Sequence, residues 1–144
     1  MNTKSLLLLA GALLVSSAQA RDDRLKMPLA DALATPAAQQ KLDANIKLYF
    51  GDAKHSAAKQ TFGTFTSNKK TNFFNKTDKE GCEWVFLAAA LALQERAKQL
   101  GGNAVVDIAS VYRNQELKSA TENDCGAGAV MGGVALRGTV VKLP

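Results

Sequence analysis

Thr77 to Gly102 reads TDKEGCEWVFLAAALALQERAKQLGG, and the fold turns on how this stretch is read. Thr77-x-x-Glu80 forms a capping box, in which the threonine oxygen accepts from the third amide of a helix while the glutamate reaches back to the first. Gly101-Gly102 supplies the stop, because glycine readily enters the left-handed conformation that closes a helix. Arg96 and Lys98 fall in the last turns, where cations oppose the helix dipole. The spacing predicts one long helix over Lys79 to Leu100. Trp84 to Leu93 is apolar on every face. One side can therefore cover a sheet, and the other needs cover from N-terminal turns or a second subunit, which leaves room for a homo-oligomer.

Working outward, strands flank this helix. NIKLYFGD sets Ile46, Leu48 and Phe50 against Asn45, Lys47 and Tyr49, the period of a half-buried strand ended by Gly51-Asp52. QTFGTFTSN, Gln60 to Asn68, is a second strand, with Gly63 marking a bulge. After the helix, NAVVDIASVYR alternates Ala104, Val106 and Ile108 with Val105, Asp107 and Ala109. VALRGTVVKL closes the chain with Val134, Leu136 and Val140 on one face. Upstream, PLADALATPAAQQKL reads as one or two short helical turns broken at Pro36, with Leu29, Leu33 and Leu42 free to pack. The expectation is an α+β domain in which a sheet of about four strands carries one long helix on one face.

Asn114 to Gly133, NQELKSATENDCGAGAVMGG, reads as a long polar, glycine-rich connection. Its glycines do not make a dinucleotide site. Met131 stands where G-x-G-x-x-G needs its last glycine, and a strand follows where a helix is required. Gly126 and Gly128 are expected to turn the chain, and Gly132-Gly133 to allow a close approach or a bulge.

Cys82 and Cys125 are the only cysteines. MNTKSLLLLAGALLVSSAQA, residues 1 to 20, has the positive start, apolar core and small-x-small end of a secretory signal peptide. Export to an oxidising compartment makes a Cys82–Cys125 disulfide the leading reading. A redox thiol at the helix start is the alternative, but there is no C-x-x-C and the two cysteines lie 43 positions apart. Geometry agrees with a staple. The helix at ~1.5 Å per residue and the strand after it at ~3.3 Å per residue both span about 33 Å. A right-handed crossover between neighbouring parallel strands then returns the second strand's end to the helix start, where the cysteines meet.

Residues 21–144 are expected to form a single periplasmic or secreted domain, soluble after cleavage. No cysteine at position 21 invites a lipid anchor. Without Lys4 this part carries 17 basic and 13 acidic side chains, a net charge of +4. That is a mild pull toward anionic partners and falls short of a nucleic-acid footprint, so no nucleic acid is expected. With His55 as the sole histidine and both cysteines engaged, no closed zinc site is expected, nor any other cofactor.

Cys82-Glu83-Trp84, LALQERAKQLGGNAVVDI and SATENDCGAGAVMGGVALRGTVVK together resemble small exported bacterial proteins often labelled "excinuclease ATPase subunit". KLDANIKLYFGD and KKTNFF extend the likeness over nearly the whole chain after residue 20. The label's function has no support in the residues, since no G-x-x-x-x-G-K-[ST] occurs. QERAKQLGGNAVVDI resembles the helix-then-strand unit of the YbjQ-like superfamily, which includes the outer-membrane sensor lipoprotein of the Rcs pathway. That resemblance implies a compact α+β fold that binds other envelope proteins.

Two regions could carry function. Lys69, Lys70, Phe73, Phe74 and Lys76 mix cations with aromatics, a composition suited to an anionic membrane surface or polymer. In the 114–133 segment, Glu116, Glu122 and Asp124 could serve a binder or hydrolase of a small molecule or envelope polymer. No serine has an evident histidine partner, so no catalytic residue is assigned and the chain reads as a non-enzyme. The expected role is that of a non-catalytic periplasmic interaction or accessory protein, binding another envelope component, most simply another protein.

Overall fold

The structure is a computed structural model, and it describes residues 21–144; the expected signal peptide lies outside the described residues. Strand β1 (Asp22–Pro28) leads into two short helices, α1 (Leu29–Ala34) and α2 (Pro36–Lys41). Next come β2 (Lys47–Phe50), β3 (Gln60–Asn72) and the long helix α3 (Asp78–Leu100). β4 (Ala104–Ser110), β5 (Glu122–Gly128) and β6 (Met131–Lys142) complete the chain. The sheet thus has six strands, where about four were expected, and it curls as a half-barrel.

α3 forms for the reasons its sequence suggests. The Thr77 hydroxyl accepts from the Glu80 amide at 3.1 Å, and the Glu80 carboxylate accepts from the Thr77 amide at 3.3 Å. Gly101 closes the helix at φ 81°, its amide donating to the Lys98 carbonyl. At α2 the Thr35 hydroxyl alone makes the cap, accepting from the Ala38 amide at 3.2 Å, with Pro36 at the first helical position.

β6 is the centre of the sheet. Its whole length pairs antiparallel with β3, from Gln60↔Lys142 to Asn72↔Met131. Its other edge is shared end to end: β4 occupies one half and β5 takes the Gly132-Gly133 end. β2 adds to β4 in parallel, and β1 adds to β5 antiparallel. β3 and β4 are therefore parallel but not adjacent, because β6 lies between them. This corrects the expected side-by-side crossover: β6 is buried on both faces and bonds along both edges.

The helix face of the sheet holds the main core. Val85, Phe86, Ala89, Leu93 and Ala97 of α3 pack on Val105, Ile108, Val134, Leu136 and Val140. Five largely apolar side chains, Tyr49, Ala104, Val106, Val141 and Leu143, form a smaller cluster on the opposite face. α1 and α2 supply part of the cover that the far side of α3 required, burying Leu29, Ala32 and Ala38. Gln94, only 3% exposed, ties α3 to the segment after α2. Its amide donates to the Asp43 and Ile46 carbonyls at 3.0 and 2.8 Å and accepts from the Asp43 amide at 2.9 Å.

The disulfide joins Cys82 to Cys125, with Cα atoms 5.8 Å apart. Cys125 does not sit in a loop, however. The 114–133 segment contains β5, whose Asn123, Asp124, Cys125, Gly126 and Ala127 are all buried. The expected turning role of Gly126 and Gly128 is corrected with it: both are strand residues, as are Gly132 and Gly133, and none of the four is at positive φ. They make room. A Cβ on Gly126 would overlap the Tyr112 ring, and one on Gly132 the Phe73 ring. The close approach expected at Gly132-Gly133 is real, and Phe73 and Tyr112 are the groups that approach. Gly63 matches its expected bulge, with φ 129° at a register shift in β3.

Candidate interaction surface

β3 runs four residues past its expected end, so Lys69 and Lys70 lie on a strand. Consecutive strand residues point to opposite faces. Lys69 pairs in register with Val134 on the helix face and joins Phe65, Ser67, Leu93 and Arg96 around a cleft of about 330 Å³. Lys70 faces the other way, its stem against Gly133. Among the described residues β3 pairs only with β6, which leaves its outer edge without a strand partner there; the lysines and the Gly63 bulge are features that discourage strands from adding.

Beyond β3 the two phenylalanines part company. Phe73 is 4% exposed, its ring between Gly81 of α3 and Gly132 of β6. Phe74 is 63% exposed. The local turn explains the split: the Phe73 amide donates to the Val130 carbonyl at 2.6 Å, anchoring Phe73 inward, while Asn72 caps the Phe74 amide at 2.6 Å. Asn75, at φ 59°, completes the reversal into α3. The Lys76 ammonium returns to the Asn72 carbonyl at 2.8 Å.

This turn meets the β5–β6 hairpin. Val130 and Met131 at the hairpin tip are 58% and 49% exposed. Among the described residues four large apolar side chains are exposed, and three of them, Phe74, Val130 and Met131, lie at this one end. The reading of GAVMGG as a glycine segment misses Val130 and Met131. Their signal is the placing of two large apolar residues at a turn between glycines, outside any alternating pattern.

The charges around this end are unevenly paired. Arg21 bonds Asp23 at 2.6 Å and Asp78 at 2.9 Å, and Arg113 bonds Asp22. The Arg21 guanidinium holds the Asp78 carboxyl below its ordinary range. Lys69, Lys70 and Lys76 have no ion-pair partner among the described residues. A cleft of about 500 Å³ opens beside the hairpin, walled by Arg21, Tyr112, Arg113, Val130 and Met131.

The carboxylates of the 114–133 segment are not gathered. Asp124 is 1% exposed and paired with Arg24, Glu116 bonds Arg137 at 3.0 Å, and Glu122 is exposed. His55 is exposed on the connection after β2, its ring 5.3 Å from that of Tyr49. A separate groove runs between α2 and α3, where Trp84 is 53% exposed beneath the Lys41 ammonium, 5.0 Å from its ring. No helix among the described residues is long and apolar enough to cross a membrane. Comparison with protein-family models, with curated proteins and with solved structures finds no match.

Proposed function

We propose that this chain is a non-catalytic accessory protein of the bacterial envelope, exported to the periplasm, that acts by binding another envelope component. The observation that carries the reading is the gathering of Phe74, Val130 and Met131 at one end, beside lysines without ion-pair partners. Exposed apolar residues scattered singly need no explanation, whereas a cluster rimmed by charge is characteristic of a contact surface. The disulfide fits an oxidising compartment, and the resemblance to exported proteins and to the envelope-binding superfamily points the same way.

The test uses the oxidised chain over residues 21–144, immobilised and exposed to an envelope extract. The wild type should retain an envelope component, and Phe74→Ser combined with Val130→Ser should release it without change in melting temperature. Retention by the double variant equal to that of the wild type would move the contact surface elsewhere. Failure of the wild type to retain any component would remove the reading altogether.

A further inference from the structure

We infer that the component met by this end of the molecule is an anionic phospholipid bilayer, an inference that rests on reading the Phe74–Val130–Met131 end as the contact surface. The shape of the surface comes first. Its apolar residues sit on two chain reversals, the turn after β3 and the β5–β6 hairpin, held side by side by the Phe73 amide on the Val130 carbonyl. Such tips project. A protein partner would need a complementary hollow and roughly 800 Å² of buried surface on each side, whereas a fluid interface closes around a small projecting apolar group.

Charge makes the choice of lipid. Asp22 is bonded by Arg113, and Asp23 and Asp78 share Arg21, so none of the three carboxylates turns to a lysine. Glu80 is held in the capping box, and Glu83 lies 3.7 Å from Lys79. Lys70 and Lys76 are exposed and have no carboxylate partner among the described residues; the Lys76 ammonium rests on the Asn72 carbonyl at 2.8 Å with donors to spare, and both stems are long enough to lie along apolar surface while the ammonium reaches headgroup phosphates. Tyr112, half-buried on the wall of the adjoining cleft, is a residue type that favours the boundary between hydrocarbon and water. Phenylalanine, valine and methionine at the tip would enter the acyl boundary, with the lysines at headgroup level.

The experiment is sedimentation of the oxidised chain with vesicles of equal parts phosphatidylcholine and phosphatidylglycerol, beside vesicles of phosphatidylcholine alone. The chain should bind the anionic vesicles, and Phe74→Ser with Val130→Ser should weaken binding by roughly tenfold or more. Lys70→Glu with Lys76→Glu should do the same. Trp84 is the only tryptophan, so Phe74→Trp in a Trp84→Phe background places one fluorophore at the tip, and its emission should shift to the blue on the anionic vesicles alone. Equal binding to both vesicle types, no emission shift, or loss of binding through Trp84→Phe by itself would each overturn the inference. Should vesicles fail to bind while a photo-crosslinker at position 130 joins a single envelope protein, the lipid inference fails and the contact surface stands.

Discussion

Cys82, in the first turns of α3, is bonded to Cys125 in the middle of β5, and this link bears on a ribbon that is otherwise thinly attached. β1 and β5 pair with each other over seven registered positions, but β5 meets β6 at only two, Gly126↔Gly133 and Ala127↔Gly132. The bridge closes a 44-residue loop, for which the chain-entropy model gives about 4 kcal/mol as an upper figure.

The first prediction follows from that attachment. Cys82→Ala with Cys125→Ala should lower stability by about 2–4 kcal/mol and Tm by roughly 10 °C. The loss should be uneven. Amide exchange should accelerate most in 22–28 and 122–128, and least along the β3–β6 ladder. Uniform acceleration across the sheet would show that the bridge does not hold the ribbon in particular.

A second prediction concerns the glycines. Gly126 is buried under the Tyr112 ring, so Gly126→Ala forces overlap and should cost about 1–3 kcal/mol in urea denaturation. Tyr112→Ala removes the obstacle. In the double variant much of the Gly126→Ala cost should disappear, giving a coupling of about 1 kcal/mol or more. Additive losses would mean that the glycine serves the backbone rather than the ring.

These two relationships also mark where the sequence is legible. α3 can be read from Thr77, Glu80 and Gly101 because a helix announces its ends locally, and the alternating strands can be read for the same reason, except that in β4 an irregularity at Asp107, φ 53°, puts Ile108 on the helix face with Val105 and away from Ala104 and Val106. β5 cannot. In ENDCGAG the positions facing α3 are Asn123, Cys125 and Ala127, buried beneath that helix and its disulfide although none carries a large apolar side chain. β1 is an edge strand whose Arg24 and Lys26 mask Leu25 and Met27. The insertion of β6 between β3 and β4 is a long-range choice that no local pattern encodes. Of the candidate surface, Lys70, Phe74 and Lys76 are legible as composition, whereas Lys69 turns to a separate cleft; Val130 and Met131 leave only the faint signal of two large apolar residues between glycines, and the hairpin brings them to this end.

The third prediction tests the polar tie beneath α3. Gln94→Leu keeps the volume but leaves the Asp43 amide and the Asp43 and Ile46 carbonyls without their side-chain partner. The expected loss is about 1–3 kcal/mol in urea denaturation, with faster amide exchange over residues 43–47. An unchanged stability would show that other groups or water satisfy this segment without Gln94.

The last prediction separates two neighbours that look alike in the sequence. Phe73 fills space between α3 and β6 that Gly81 and Gly132 leave open; a Cβ on Gly81 would lie 2.6 Å from its ring. Phe73→Ser should therefore cost about 3–5 kcal/mol, since it empties a buried site and introduces a hydroxyl there. Phe74→Ser changes an exposed side chain and should stay within about 0.5 kcal/mol of the wild type. The decisive comparison is made at matched folding. If Phe74→Ser melts like the wild type yet loses association with envelope material, the residue is kept for contact. If both variants melt together at low temperature, Phe74 packs in solution against the body of the protein, and the exposed end shrinks to Val130 and Met131.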